Sequence, residues 1–441
     1  MLVHAWLAYL GVVVVPSEGF YDVDLYRYWM YLGLDEGSWP VLDEPWVYPV
    51  GAILPMVLPA LVTTVSTPGY ALAWCAMVTA VDGLAVAALL RGSGEGEVAA
   101  AGAPAGGGSP DDSDLPEPSG TRGAWWWLAF LALLGPVAMG RLDAVVAPLM
   151  VVALATARRT DGGMRVASAL LTFGAWVKVA PGALLLPLVA AARRPVRDVI
   201  LPAAAVCVVV VGAVAASGGL GRVLGFLTTQ QGRGLQVESV AATPWVLGVL
   251  VREDITIRLN EELITYEVSG AGTSGAAAAL DVLLLLLVAA VAGALVVARR
   301  RGRAPEALLP GALTLLLVLI VANKVGSPQF LTWVAAPLAV LLTGPLRDRG
   351  ADTVPPRPSR LWVHISAVLA LVAATLTQVV FPWGYMELLT TGAGGNPAIA
   401  VCLALRNVCL LGLLACACVG LMQATRRVEA PLGQPIAGTT S

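Results

Sequence analysis

Residues 276–303 read AAAALDVLLLLLVAAVAGALVVARRRGR. The run 276–298 carries one charged residue, Asp281, and residues 299–303 then hold four arginines. About 20 consecutive apolar residues are enough for a helix to cross a bilayer. Arginine-rich loops next to such helices favour the cytoplasmic side. The stretch therefore predicts a transmembrane helix whose C-terminal end lies in the cytoplasm.

The rest of the chain repeats this pattern. Of 441 residues, 58% are hydrophobic and 13% are charged, and the mean hydropathy is +0.79. Soluble domains carry about 25% charged residues. The composition excludes a disordered chain, a nucleic-acid binder and an ordinary soluble enzyme, and it predicts an all-α polytopic membrane protein. Twelve further apolar runs lie near 2–16, 50–66, 69–90, 125–140, 143–157, 166–178, 179–192, 198–217, 306–322, 330–344, 361–381 and 397–422.

Arginine placement predicts the topology. Six basic segments alternate with acidic ones, which places both termini in the cytoplasm and loops 17–48 and 218–275 outside. An odd number of crossings must then separate loop 17–48 from the basic segment 91–123, although two apolar runs lie between them. Residues 50–66 contain Pro55 and Pro59, and proline breaks helical hydrogen bonding. We predict that 50–66 is a re-entrant or interfacial segment and that about 12 helices span the membrane.

Two apolar hairpins are too short for ordinary spans. Residues 124–157 and 166–192 each form a pair of runs, whereas two full crossings need about 40 residues. Their tips, at Arg141–Asp143 and at Lys178, are expected to stop below the outer surface and to line an outward-facing hollow. Non-helical backbone at that depth is tolerated where it borders a watery cavity.

The chain divides into six regions by composition. Segment 254–270, in the second outer loop, alternates like a β-hairpin or an edge strand. The regions are 1–91 (first span, external catalytic loop and re-entrant segment), 92–123 (disordered cytoplasmic linker), 124–217 (short-helix hairpins and membrane helices), 218–275 (external loop), 276–425 (C-terminal membrane helices) and 426–441 (cytoplasmic tail).

Two aspartates follow the first span in GFYDVDLYRYW, residues 19–29. In an extended segment, the two-residue spacing of Asp22 and Asp24 would put both carboxylates on one face. They could act as general bases, hold a metal ion weakly, or be solvated loop charges. The aromatic residues around them suit either an interfacial belt or stacking on sugar rings.

The two lysines of the chain, Lys178 and Lys324, both fall at predicted outer ends of apolar segments. A lysine there can bind a phosphate as a point charge, or it can simply extend its amine towards water. Arg141 and Arg233 also face outward in this topology. No phosphate-binding glycine loop, dinucleotide fingerprint or zinc motif is present, so no nucleotide, metal or other cofactor is expected.

An outward loop after the first span that carries aspartate beside aromatics resembles the C-type glycosyltransferases. More narrowly, the chain resembles glycosyltransferase family 87, the polyprenol-phosphate-mannose-dependent α-1,2-mannosyltransferases. Residues 24–28, Asp-Leu-Tyr-Arg-Tyr, resemble an Asp-Leu-x-Val-Tyr motif, with Arg27 at the valine position. The other motifs that carry the resemblance are Tyr48-Pro49, Gly140-Arg141-Leu142-Asp143, Lys178-Val179-Ala180-Pro181, Arg233-Gly234-Leu235-Gln236-Val237-Glu238-Ser239 and Ser327-Pro328-Gln329-Phe330.

The resemblance implies a C-type architecture and an enzyme that moves a hexose, mannose in this family, from a polyprenyl-phosphate donor. The acceptor would be a lipid or glycan of the cell envelope, and the active site would face outward from the cell membrane. Asp24 is the expected general base and Asp22 its supporting neighbour. Lys178, Lys324, Arg141 and Arg233 would bind the donor phosphate, and Tyr28, Tyr48, Asp143, Gln236, Glu238 and Gln329 would bind the sugar or the acceptor.

A transporter or flippase of a lipid-linked saccharide is the alternative. It would need paired ionisable groups at the bilayer midplane and internal repeats. Here the charges cluster at the predicted outer boundary instead, which favours the transferase.

Overall fold

A computed structural model describes residues 1–101, 119–159, 162–228, 233–261, 264–344, 360–390 and 396–426. The described chain is mostly helical, with one two-stranded antiparallel sheet. Within it, six helices are long and apolar enough to cross a membrane. They are Thr67–Arg91, Val196–Ala216, Thr273–Arg300, Ala304–Val321, Leu361–Trp383 and Pro397–Thr425. The larger number of about 12 spans stays a prediction.

Residues 1–101 contain five α-helices of very different lengths. A π turn, Leu10–Val14, ends the first helix, and the segment 50–66 forms only a short helix after a 3₁₀ turn at Val50–Ala52. At 1.5 Å per residue, residues 50–60 extend about 16 Å, less than the roughly 30 Å of a hydrocarbon core. The helices are α1 (Leu2–Tyr9), α2 (Pro16–Gly19), α3 (Tyr21–Leu34), α4 (Ile53–Ala60) and α5 (Thr67–Ala101).

The predicted linker 92–123 is helical at both described ends. Residues 92–101 continue α5, and residues 119–123 begin the next helix, while 102–118 lie outside the described residues. The two short hairpins follow. Their helices are α6 (Ser119–Leu134), α7 (Asp143–Ala157), α8 (Gly163–Val177), α9 (Ala180–Ala183) and α10 (Leu185–Ala191). The 15 residues of α7 and of α8 span about 22 Å each, in agreement with the prediction of shortened hairpins.

The described part of segment 218–275, which the sequence predicts to lie outside the membrane, folds as a small subdomain, here named the outer subdomain after that prediction. Its sheet pairs Thr256 with Ser269 and Asn260 with Thr265, as the alternating sequence predicted. The elements from here to the C terminus are α11 (Leu201–Ala216), α12 (Gly225–Thr228), α13 (Thr243–Gly248), β1 (Thr256–Asn260), β2 (Thr265–Ser269), α14 (Thr273–Arg300), α15 (Ala304–Val321), α16 (Leu331–Leu342), α17 (Leu361–Gln378), α18 (Tyr385–Leu389) and α19 (Pro397–Thr425).

Helices α7, α15 and α16 form the centre of the fold and are buried on almost every side. Helices α11 and α14 are equally apolar but expose most of their surface. A helix that is apolar all round belongs either inside a protein or against lipid. The three central helices therefore form a rigid support for the chain segments at their ends, and α11 and α14 present a lipid-facing surface.

The loop before α16 packs directly on the outer subdomain, and Gly326 makes this contact possible. A Cβ at Gly326 would lie 2.4 Å from the carbonyl oxygen of Glu238 and 2.5 Å from the amide nitrogen of Ser239. Both neighbours are backbone atoms, so no side chain can move aside. At Gly293, in α14, an added Cβ meets no atom within 4 Å.

We predict that Gly326→Ala destabilises the protein by about 1–3 kcal/mol, because an extra methyl group forces backbone shifts. The thermal unfolding midpoint in detergent should fall by several degrees. The matched variant Gly293→Ala should leave it close to the wild-type value. Equal midpoints for the two variants would show that the loop and the subdomain are not in contact.

Candidate functional site

Helix α3 turns Asp22 and Asp24 to different sides of the chain. The segment was predicted to be extended, but residues 21–34 form a helix whose buried residues, Val23, Tyr26 and Met30, recur at helical spacing. Two residues along a helix rotate a side chain by about 200°. The sequence expectation that both carboxylates share one face is therefore wrong, and the two have separate partners.

Asp24 connects α3 to the start of α5. Its Oδ1 accepts hydrogen bonds from Arg27 Nε and from Thr67 Oγ1, both at 2.7 Å, and its side chain is 45% exposed. Partial burial alone would raise the pKa of Asp24, but the hydrogen bonds from Arg27 and Thr67 outweigh it and hold the pKa below its usual value. A weakened base with two hydrogen-bond donors suits a structural tether better than proton abstraction.

Asp22 points towards the interior and pairs with Arg141. The distance from Arg141 Nε to Asp22 Oδ2 is 3.2 Å. The same guanidinium donates to the carbonyl oxygens of Gly19 at 3.3 Å and Gly140 at 3.0 Å, and it lies 5.6 Å from the centre of the Phe381 ring. A Cβ at Gly140 would lie 2.5 Å from the Gly19 carbonyl oxygen, so this close approach requires glycine.

Lys178 and Asp143 form a second ion pair at the tips of the two short hairpins. Lys178 Nζ lies 2.5 Å from Asp143 Oδ2, and Trp333 Nε1 donates to Asp143 Oδ1 at 2.6 Å. The lysine ammonium also lies 5.8 Å from the centre of the Phe330 ring. The Asp143 side chain is fully buried, whereas that of Lys178 is 16% exposed. A buried carboxylate needs such partners, and the lysine keeps part of its own surface exposed.

Two tyrosines, the buried Tyr26 and the partly buried Tyr48, lie near these pairs. Tyr48 is within electrostatic range of Asp22, Arg141 and Asp143, and the centres of the Tyr26 and Tyr48 rings are 6.3 Å apart. Burial, and next the charge of Asp22, raise the pKa of Tyr48. The phenol therefore stays protonated at neutral pH and can donate a hydrogen bond.

Residues 234–239 close the site from the side of the outer subdomain. The side-chain oxygen Oε1 of Gln236 accepts a hydrogen bond from the backbone amide of Gly326 at 3.1 Å. The backbone amide of Gln236 donates to the carbonyl oxygen of Lys324 at 2.9 Å. Glu238 is buried, with one carboxylate oxygen 4.0 Å from Arg406 and with Arg141 within electrostatic range. The binding residues predicted at 236 and 238 thus lie against the predicted site, although Gln236 is held by backbone groups.

The remaining predicted residues are spread more widely. Lys324 pairs with Asp281 of α14 at 3.1 Å, and its ammonium is therefore engaged at a different helix from the two ion pairs described above. Tyr28 is 48% exposed. Arg233 is partly buried, near Tyr48 and Glu267, while the half-buried Gln329 precedes Phe330 in a 3₁₀ turn.

Sequence reasoning missed Tyr26, Phe381, Trp333 and Arg406. Tyr26 had a readable signal, since it follows Asp22 by four residues and therefore shares its helix face. Residues 22–26, Asp-Val-Asp-Leu-Tyr, also fit the Asp-Leu-x-Val-Tyr pattern. In this alignment Asp22 and Tyr26 are identical to the pattern, and Val23 and Leu25 occupy the two aliphatic positions. Arg406 had one too, as a lone arginine within the last apolar run. Phe381 and Trp333 had none, because only the fold brings them to the site.

Comparison with known protein families identifies the family of this chain. The sequence model described as glycosyltransferase family 87 matches residues 46–323, more than half of the chain. The chain belongs to glycosyltransferase family 87. The match includes Tyr48, Arg141, Asp143, Lys178 and Glu238 and begins after α3. The resemblance read from the sequence is thereby confirmed at the level of the family, and the protein is a membrane glycosyltransferase.

Two similar solved structures are of ArnT from Cupriavidus metallidurans. The apo form has 13% identity and a TM-score of 0.41, and the match covers 91% of this chain and 73% of that one. The form bound to undecaprenyl phosphate has 14% identity and a TM-score of 0.41, with 94% and 77% covered. Comparison with curated proteins gives no match.

Glu238 should give this family 87 protein a pH-dependent stability. Burial raises the pKa of Glu238 from 4.5 to about 7, against the opposing charges of Arg406 and Arg141. Between these values the folded protein holds a proton that the unfolded chain has released. The free energy of unfolding must therefore fall as the pH rises through this window.

We predict that the thermal midpoint of the wild type in detergent decreases from pH 5 to pH 8, and that Glu238→Gln removes much of this decrease. The glutamine amide imitates the protonated carboxyl and does not titrate. The control Glu253→Gln, at an exposed glutamate of the same loop, should keep the wild-type slope. The same slope in all three proteins would show that Glu238 does not titrate in this range.

Proposed function

We propose that the protein transfers a hexose, mannose by family resemblance, from a polyprenyl-phosphate sugar to a hydroxyl group of a cell-envelope glycan or glycolipid. The observation that carries this proposal is the convergence of two ion pairs, Asp22–Arg141 and Asp143–Lys178, at the ends of short helices. One pair supplies a carboxylate and the other a partly open ammonium group. Family 87 membership supports glycosyl transfer as the reaction.

Asp22, rather than Asp24, is the proposed general base. The acceptor hydroxyl oxygen attacks the anomeric carbon, the bond from that carbon to the phosphate oxygen breaks, and the hydroxyl proton passes to the Asp22 carboxylate. A β-linked donor then gives an α-linked product by inversion. Arg141, fixed by the Gly19 and Gly140 carbonyl groups, holds the Asp22 carboxylate in place.

Lys178 is the proposed partner of the leaving phosphate. Polyprenyl phosphate leaves as a stable anion, so the reaction needs a cation rather than a proton donor at that oxygen. An ammonium group has three N–H donors, and Asp143 accepts one of them. The others remain for phosphate oxygens, while Asp143 and the Phe330 ring set the direction of the side chain.

The site is proposed to face the outer side of the cell membrane. Helix α7 begins at Asp143 and ends just before Arg158 and Arg159, so the site and a basic segment lie at opposite ends of one helix. Arginine-rich ends favour the cytoplasm. This supports an outward site, cytoplasmic termini, and donor and acceptor lipids that reach the site from the outer leaflet.

We predict that Asp22→Asn lowers sugar transfer by 10²–10⁴-fold, the usual loss for a general base. Asp24→Asn should keep the rate within about tenfold, and it should lower the thermal midpoint because it weakens the tether to Thr67. Transfer from polyprenyl-phosphate mannose to extracted membrane lipids, with purified protein in detergent, measures the rate.

The two isosteric variants control for one another, because they lie in the same turn and differ in their partners. An inactive Asp24→Asn beside an active Asp22→Asn would return the base to Asp24. Two fully active variants would exclude a general base in α3. A wild type that moves a lipid-linked saccharide across vesicles without any transfer would favour the flippase alternative.

A further inference from the structure

The outer subdomain contains a polar groove apart from the two ion pairs. It lies between the β1–β2 hairpin and the first turn of α14 and has a volume of about 380 Å³, within the 300–1,000 Å³ of typical ligand pockets. Its polar lining comes from both elements. These residues are Arg258, Asn260, Glu267, Ser269, Thr273 and Ser274.

The hairpin has one polar and one apolar face. Opposite residues in an antiparallel pair lie on the same face, so Thr256 and Ser269, Arg258 and Glu267, and Asn260 and Thr265 form three polar cross-strand pairs. On the other face, Ile257, Tyr266 and Val268 pack into an apolar cluster of the subdomain. The polar face thus forms one wall of the groove, and α14 forms the other.

Arg233 lies between the groove and the proposed active site. Glu267 Oε1 accepts a hydrogen bond from the Gly234 amide at 2.9 Å. The neighbouring Arg233 lies within electrostatic range of both Glu267 and Tyr48, and Tyr48 lies within range of Asp22. Arg233 Nε is buried and has no hydrogen-bond partner among the described residues. A ligand that spans this junction would supply an acceptor for it.

The chemistry of the lining selects a neutral polyol. One guanidinium and one carboxylate cancel in charge, and the hydroxyl and amide groups both donate and accept hydrogen bonds. A phosphate site would instead gather cations or backbone amides. A sugar ring with several hydroxyl groups uses mixed donors and acceptors of this kind.

We propose that this groove binds the saccharide part of the acceptor and directs its reacting hydroxyl, past Arg233 and Tyr48, to Asp22. The inference rests on the proposed transferase function, and it adds the acceptor class and a place for it. Arg258 and Ser274, on opposite walls, would contact the sugar hydroxyls. Asp22 and Lys178 would remain devoted to chemistry and to the donor.

The test compares Arg258→Ala with Arg252→Ala in the full-length protein in detergent. Arg252 is exposed in the same loop, pairs with Asp254 at 2.6 Å and does not line the groove. The probe is octyl α-D-mannoside, used as acceptor with polyprenyl-phosphate mannose and as a ligand without donor in saturation-transfer NMR. Hydrolysis of the donor in the absence of acceptor is measured in parallel.

We expect Arg258→Ala to raise the KM for the probe roughly tenfold, the effect of losing one charge-assisted hydrogen bond. The NMR signal of the probe should weaken in parallel. The KM for the donor and the hydrolysis rate should not change, and Arg252→Ala should behave as the wild type. Ser274→Val should act in the same direction as Arg258→Ala, which excludes an effect confined to the hairpin.

Equal KM values and equal NMR signals in wild type, Arg258→Ala and Ser274→Val would overturn the proposal. Binding of glycerol 1-phosphate that depends on Arg258, without binding of octyl mannoside, glucoside or galactoside, would overturn it in favour of an anionic headgroup. Failure of the proposed function looks different. In that case the wild type neither transfers nor hydrolyses a polyprenyl-phosphate sugar, while octyl glycoside binding that depends on Arg258 would still establish a saccharide groove.

Discussion

The site depends on the burial of Arg141. A guanidinium stays charged at any physiological pH, and removing it from water costs several kcal/mol unless it is paired and hydrogen-bonded. The fold meets this requirement with the Asp22 carboxylate, two backbone carbonyl groups and the Phe381 ring. These partners come from α3, from α2, from the tip of a hairpin and from the π turn that follows α17. One buried charge thus fixes the position of four separate chain segments.

The second ion pair, Asp143–Lys178, also holds a buried charge with several partners, but its cation remains partly in water and loses less hydration free energy. Asp143 is buried with Lys178 and Trp333 as partners, yet the lysine side chain stays partly exposed. Because α7 and α8 are too short to cross a bilayer, their polar ends lie where side chains of α3 can meet them. A helix that only crosses the bilayer cannot be this short. Here the short helices leave space at their ends for polar side chains.

The lengths and types of most elements around the site could be predicted from the sequence, but the directions of the side chains in them could not. The short length of the hairpins and the alternation of 254–270 each reflect local physics, and the structure agrees with both; the role of Lys178 stays a prediction. The directions of the Asp22 and Asp24 side chains depend on whether this segment is helical or extended. Its many aromatic residues favoured an extended loop, whereas the structure has a helix. A period-2 interpretation placed both carboxylates together, whereas the 3.6-residue period separates them.

Other parts of the site were beyond sequence reasoning. Lys324 lies just after the end of α15, but its partner Asp281 is identified only by the packing of α14 beside it. Phe381 and Trp333 reach the site through long-range packing, for which no local pattern exists. Tyr28 was chosen by motif spacing, whereas Tyr26 is the tyrosine that shares the buried face of α3 with Asp22.

An experimental structure with polyprenyl phosphate bound tests the central claim most directly. The account predicts phosphate oxygens within hydrogen-bond distance of Lys178 Nζ, with the Asp22 carboxylate facing the sugar position and Asp24 still bonded to Thr67. A phosphate held by Lys324, or an Asp24 carboxylate that leaves Thr67 and faces the phosphate in place of Asp22, would contradict it.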